Sequence, residues 1–242
     1  MSDSVVILGA GAPNGVGGAL TRRFAAEGHH VFVSGRTLGK VEETAAAVNA
    51  SGGSAEAVAV DVISAADQDA LFERVRARGE SVAAVLFNAG ANMPIPFEEL
   101  TEAQFEEFWR IGCFGAFLTA KRAMPLLAAQ GSGSMLFTGA SASMRGRPMF
   151  GHFASSKAAL RNLAQALGRE YGPKGVHVAH VVIDGIVNGD IVQGRFADYL
   201  DSLGEDGALD PDAIADAFWA LHSQHRSAWT HELDLRPFKE TW

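Results

Sequence analysis

The chain is short of cysteine, of basic charge and of long apolar runs, and each shortage excludes something. A single cysteine, Cys113, among 242 residues leaves no disulfide framework and fits a reducing compartment. Lysine and arginine number 20 against 28 acidic residues, a formal charge of −8. That balance argues against nucleic acid as the main partner, because phosphate backbones are held by clustered cations. No apolar run reaches the roughly 18 to 20 residues a membrane helix needs, since Lys121 and Arg122 break the best stretch. The opening Met1-Ser2-Asp3-Ser4 lacks the basic region of a secretory leader. Cys, His and acids nowhere cluster at metal-ligand spacing. With 48% hydrophobic and 20% charged residues, an ordinary packed globular chain remains. The expectation is a soluble, cytoplasmic protein with a small-molecule partner.

What is present alternates. Val5–Leu8, His30–Ser34, Ala57–Val60, Val82–Phe87, Ser134–Thr138 and His177–Ile183 read as strands, and Trp229–Leu235 as a closing one. Between them lie helical patterns at Gly18–Glu27, Leu38–Asn49, Ala65–Arg78, Thr101–Ala129 and Gly151–Tyr171, and a last helix opened by Asp210-Pro211. Short runs rich in β-branched residues suit strands buried on both faces. Strands alternating with helices imply right-handed crossovers and a parallel sheet covered on both sides. The fold class is therefore α/β, a doubly wound parallel sheet in one domain over residues 1–242. Asp184–Asp210, with five glycines among acids, is the most irregular stretch. It reads either as a loop covering the substrate crevice or as a variable surface loop.

The first strand runs into Gly9-Ala10-Gly11-Ala12-Pro13-Asn14-Gly15-Val16-Gly17 and then a helix. Strand, glycine turn and helix in this order form the context that dinucleotide binding requires. Gly11 would permit the tight turn, Gly15 the approach of a pyrophosphate, and Gly17 the packing of helix on sheet. This spacing resembles the short-chain dehydrogenase/reductase family, whose turn reads Thr-Gly-x-x-x-Gly-x-Gly; Ala10 stands where the threonine falls. The resemblance spans nearly the whole chain. Asp61-Val62 resembles the family's adenine-binding pair, and Asn88-Ala89-Gly90 its sheet-stabilising element. It implies a Rossmann-type fold, a nicotinamide dinucleotide held by Gly11, Asn14, Gly15, Val16 and Gly17, and a homodimer or homotetramer.

In relatives that use NAD, an acid at the end of the second strand binds the ribose hydroxyls. Gly35 occupies that place here and Arg36 follows it. With no carboxylate to repel a 2′-phosphate and a guanidinium available to grip it, NADP(H) is expected. Asn14 stands where many NADP-using relatives carry a basic residue, so Arg36 also reads as a solvated surface charge.

The departures are as specific as the matches. The family's chemistry uses Tyr-x-x-x-Lys, and this chain reads Phe153-Ala154-Ser155-Ser156-Lys157. Phenylalanine has the tyrosine's shape but no proton to give. Lys157 remains, four residues on and so on the same helix face, where the resemblance gives it the nicotinamide ribose. The family's substrate-orienting serine falls on Ala140, beside Ser141 and near Ser143, and its helix-kinking asparagine falls on Gly112, so the kink is expected to be lost. Asp184-Gly185 replaces the family's Pro-Gly, and burial there would make Asp184 a candidate acid. His152 has a suitable chemistry but turns about 100° from the Lys157 face. Lys157, Ser141 and Asp184 are the candidate catalytic residues, with no metal. Phe105, Phe108, Trp109, Phe114 and Phe117 read as core or subunit interface, and His177 and His180 as structural residues on opposite faces of one strand. Two functions follow: an NADP(H)-dependent oxidoreductase of carbonyl/alcohol or enone substrates, or a catalytically silent NADP(H)-binding sensor or scaffold.

Overall fold

The computed structural model describes residues 3–240, and the alternation read from sequence runs through them. The described residues form one sheet from β1 (Ser4–Leu8), β2 (His30–Gly35), β3 (Ser54–Ala59), β4 (Val82–Phe87), β5 (Ser134–Thr138), β6 (His177–Ile183) and β7 (Glu232–Leu235). Every neighbouring pair is parallel, in the order β3-β2-β1-β4-β5-β6-β7. The chain starts in the middle, winds outward to β3, then returns to β4 on the other side of β1. The strand order thus reverses between β1 and β4, and ligands of such sheets bind in the crevice beyond the strands' carboxyl ends at that point.

Alternate side chains of each strand enter one of two cores. Val6, Leu8, Val85 and Phe87 pack against α3 (Ala65–Ala77), α5 (Gly115–Gln130) and α6 (Gly151–Tyr171). Val5, Ile7, Ala84 and Leu86 pack against α1 (Val16–Ala26), α2 (Leu38–Ala50) and α8 (Pro211–His222). With both faces covered, β1, β2, β5 and β6 are buried along their whole length.

Three expectations are corrected. The Thr101–Ala129 region is not one regular helix: α4 (Glu102–Trp109), capped by Thr101 and Gln104, passes through a π-turn at Arg110–Phe114 into α5. Counted through that turn, Glu102–Gln130 is long and apolar enough to cross a membrane despite Lys121 and Arg122, but 61% of its most apolar window is buried inside the fold, as in a core helix. Asp184–Asp210 is mostly helical rather than irregular, because α7 (Asp190–Leu203) sits between Gly189 and Gly204 with a break in helical geometry at Phe196. The closing strand is only Glu232–Leu235, since Trp229 stacks on the His177 ring and Gln224 bonds Thr230.

Candidate functional site

At the end of β1 the left-handed bend falls on Gly9, with φ +83°, and not on Gly11. The cause is the close approach of β4: a Cβ on Gly9 would lie 2.3 Å from the Ala89 nitrogen, whereas one on Gly11 would meet nothing within 4 Å. Gly17 does pack α1 onto the turn, because its Cβ would lie 2.5 Å from Ala10 Cα. Gly15 is the N-cap of α1, which therefore starts at Val16, and no side chain caps it. Unclaimed first-turn N–H groups, the positive end of the helix dipole and open space beside Gly11 fit a pyrophosphate. The Asn14 carbonyl accepts from the Asp190 nitrogen at 3.2 Å, so the 184–210 segment docks on this turn through backbone.

Arg36 is exposed at the end of β2 and, among the described residues, makes no ion pair. The acid of NAD-using relatives has no room one residue earlier: a Cβ on Gly35 would lie 2.2 Å from the Ala10 carbonyl oxygen. Asp61 folds back to accept from the Ile63 nitrogen at 3.2 Å, and Val62 is buried against Gly115. Asn88 ties three strands together. Its amide donates to the Gly9 carbonyl at 3.0 Å and its carbonyl accepts from Thr138 Oγ1 at 3.0 Å. Ala89 is buried in the same wall. Thr138 then offers its carbonyl to Lys157 Nζ at 2.7 Å, and Gly90 is close enough that a Cβ there would lie 3.4 Å from that nitrogen. Lys157 is 4% exposed, and burial pushes its pKa down to about 8.

The Phe153 ring centroid stands 5.8 Å from Lys157 Nζ, so phenylalanine and lysine keep the expected shared face. The kink expected to vanish with Gly112 persists as the π-turn, a feature common at functional sites. Gly112 makes room there for Ser156, whose Oγ would be 2.1 Å from an added Cβ and which donates to the Phe108 carbonyl at 3.2 Å. Ser141 opens a short 3₁₀ turn, Ser141–Ser143, and its hydroxyl has no partner among the described residues. His152 is fully buried with its ring 4.3 Å from that of Phe108, which takes it out of the Lys157 group.

Asp184 is buried but not as a free acid. Arg145 Nη2 donates to its two oxygens at 2.9 and 3.2 Å, and Arg236 Nη2 lies 3.6 Å away. Arg145 is thus held by two hydrogen bonds, with Arg236, which also bonds Asp234, adding charge nearby, so the structure gives Asp184 an ion-pair role that anchors Arg145 beside Ser141. A cavity of about 650 Å³ lies within the 184–210 segment, lined by Gln193, Asp201, Glu205 and Asp210 among others. Neither Lys157, Ser141 nor Asp184 borders it.

One group escaped the sequence reading. His180, placed on the face opposite His177 as expected, lies between Ser143 Oγ, 3.2 Å from Nε2, and Glu232 Oε2, 3.0 Å from Nδ1. Arg161 holds Glu232 with bonds of 2.6 and 2.8 Å. Burial drives the His180 pKa down to about 4 against the pull of Glu232. Residues 143, 161, 180 and 232 share no local spacing, so no motif could reveal them.

A doubly wound parallel sheet with an uncapped glycine turn at its switch point defines an α/β protein of the Rossmann type. The chain belongs to the short-chain dehydrogenase family, whose model matches residues 4–200. It is 35% identical over 168 residues to the oxidoreductase asL5 of Sarocladium schorii, covering 69% of this chain and 66% of that one. The chain spans less than two thirds of the first curated relatives it matches, 66% of asL5 and 28% of the uncharacterized oxidoreductase YuxG of Bacillus subtilis. Among solved structures, a short-chain dehydrogenase from Rhodopseudomonas palustris is 33% identical with a TM-score of 0.83, covering 98% of this chain and 99% of that one. An alcohol dehydrogenase from Thermococcus sibiricus, complexed with 5-hydroxy-NADP, is 25% identical with a TM-score of 0.84, covering 100% and 99%.

Proposed function

We propose that the protein is an NADP(H)-dependent oxidoreductase acting on the carbonyl/alcohol pair, or an activated double bond, of a small molecule. The observation that carries this reading is the coexistence of an α1 N-terminus that no side chain caps, an Arg36 with no ion pair among the described residues and a buried Lys157 along one row of strand ends. Bound there, the nicotinamide would supply or take up a hydride. The Gly11–Gly17 turn would bind the pyrophosphate, Asp61 and Val62 the adenine side, Asn88–Gly90 the wall beside the ribose, and Arg36 the 2′-phosphate. Lys157, with one N–H engaged by Thr138, keeps two for the nicotinamide ribose hydroxyls. Ser141 would orient the substrate oxygen, with Arg145 fixed beside it by Asp184. The 184–210 segment, docked on Asn14 and carrying exposed Ile191, Phe196 and Tyr199, would cover an apolar substrate.

Phe153 supports a second reading, a sensor or scaffold that binds the nucleotide without turning it over. One experiment separates the two: fluorescence titration with NADPH and NADH, followed by a carbonyl, alcohol and enone panel. Tighter NADPH binding with turnover is expected; tight binding with an inert panel supports the sensor, and equal affinities end the NADP assignment. The working form is proposed to be cytoplasmic and a homodimer or homotetramer. Phe105, Trp109 and Phe117, 37–42% exposed on α4 and α5, supply the apolar surface for a subunit contact.

A further inference from the structure

His180 is fully enclosed, yet three segments distant in sequence converge on its ring system. Ser143 follows β5, Glu232 lies on β7, and Arg161 of α6 braces Glu232 from the other side. Hydroxyl, imidazole and carboxylate in this order fix the tautomer. Nδ1–H donates to the carboxylate, so Nε2 offers a lone pair to the Ser143 hydroxyl. Ser143 Oγ accepts the Ala140 N–H at 3.2 Å and keeps a second lone pair open.

The placement is as telling as the order. Gly139 touches the ring so closely that a Cβ there would lie 2.2 Å from Nε2. The preceding residue, Thr138, holds Lys157 Nζ by its carbonyl. Imidazole and ammonium are thus separated by one step of backbone, and Ala140, the position of the missing substrate-orienting hydroxyl, follows directly. A buried histidine that only filled core would need its nitrogens satisfied. It would not need a carboxylate on one side, a serine of the reactive turn on the other, and a second-layer arginine.

We propose that the line Ser143–His180–Glu232 handles the proton that the family's tyrosine handles elsewhere, a role that rests on the oxidoreductase reading above. In alcohol oxidation the substrate O–H bond breaks and its proton passes to Ser143 Oγ. Ser143's own proton passes to His180 Nε2. The hydride leaving the alcohol carbon is taken by an oxidised nicotinamide nucleotide, so the alcohol loses two electrons and two hydrogens and a carbonyl remains. The imidazolium so formed stands 3.0 Å from Glu232, whose partly exposed carboxylate opens to solvent. Carbonyl reduction runs the same path backwards. Glu232 on β7 favours the imidazolium, while Lys157 and Arg161 on α6 and the burial itself oppose it. The charged ring is therefore a transient species and not the resting one.

The test uses the full-length protein, NADP⁺ and a panel of aliphatic and aromatic secondary alcohols. Ser143→Ala is expected to lower kcat by about 10², and Ser143→Thr, which keeps the hydroxyl, to restore most of the loss. NADP⁺ affinity, measured by calorimetry, should stay within about twofold in both, as the general-base role predicts. Glu232→Gln should move the acid limb of the kcat profile to lower pH, because the charge favouring the imidazolium is gone. In the protein without nucleotide, ¹⁵N spectra should report the Nδ1–H tautomer of His180. Turnover undiminished in Ser143→Ala, or an Nε2–H tautomer, overturns the relay alone. A wild type that binds NADP⁺ but oxidises nothing in the panel, and reduces no carbonyl, overturns the relay and the parent reading together.

Discussion

The proposed crevice has a nucleotide half, built on β1 and β2, and a reaction half, built on β5, β6 and the start of α6, and the two compare differently with the family pattern. In the nucleotide half the retained features are backbone: Gly9 and Gly17 are forced by approaches of 2.3 and 2.5 Å, and the α1 donors are main-chain N–H groups. In the reaction half the family depends on side-chain atoms, and these have been exchanged. On the proposed reading Phe153 stands in the tyrosine's place, Ala140 in the serine's and Gly112 in the asparagine's, with Lys157 the residue that matches. Backbone geometry is shared by many sequences and survives drift, whereas one lost hydroxyl removes a proton carrier. The difference teaches that binding and chemistry in this fold can part company.

The sharpest way to break that contrast is to put the hydroxyl back. Phe153→Tyr needs space for one oxygen, and Lys157 Nζ already stands 5.8 Å from the ring centroid. With the π-turn intact at Arg110–Phe114, the deficits that remain are the hydroxyl absent from Ala140 and the side-chain amide absent from Gly112. NADPH-dependent carbonyl reduction should rise by about 10² to 10⁴ if a full general-acid contribution returns. Steady-state rates on the same carbonyl panel check it; an unchanged rate would mean that the substrate oxygen is not presented to this position.

A second effect probes two enclosed imidazoles, His180 fully buried and His222 half-buried. His180 lies in the reaction half, and His222 packs near Phe24 and Trp219 with Nδ1 bonded to Ser134 at 2.9 Å. Burial lowers both to about 4, below the usual imidazole value of 6.5. Between those values the unfolded chain binds more protons than the folded one, so stability rises with pH across this window and is lost as pH falls from 6.5 towards 4. The loss is on the order of 3 kcal/mol per histidine at full protonation. Urea midpoints at pH 7 and 4.5 should differ accordingly, and His222→Gln should remove only part of the slope, because His30, His152 and His177 are also lowered by burial and share it with His180. A flat profile would contradict the burial of both rings.

The pattern of successes in the sequence follows from the range of the interactions. Strand positions, the glycine turn and the Phe153–Lys157 face were legible because each is written in adjacent residues or a helical period. The π-turn was not, since it depends on Gly112 leaving space for Ser156 across two helices. The ion pairs of Asp184, a candidate acid or a turn residue from sequence, were hidden because its arginines lie 39 and 52 residues away. The Ser143–His180–Glu232 line was invisible for the same reason. Helix α7 was hidden by its flanking glycines, which mark its ends and not a loop.

The smallest expected effect tests how far the nucleotide half keeps its selectivity. Arg36 is exposed, so its bond to a 2′-phosphate would act in solvent and be screened by salt. That places its contribution at the low end for a charge-assisted pair, about 1.5 kcal/mol, or roughly tenfold in affinity. Arg36→Ala should weaken NADPH by that factor and leave NADH unchanged, because NADH carries no phosphate for the guanidinium to meet. The wild-type preference for NADPH should likewise shrink in about 0.5 M salt, where screening is short-ranged. An aspartate at position 35, which would repel a 2′-phosphate, is barred because its Cβ would strike the Ala10 carbonyl at 2.2 Å, so the proposed selectivity at this end depends on attraction by Arg36. Equal losses for both nucleotides in Arg36→Ala would show the arginine to be structural, and the preference would then have to come from the turn itself.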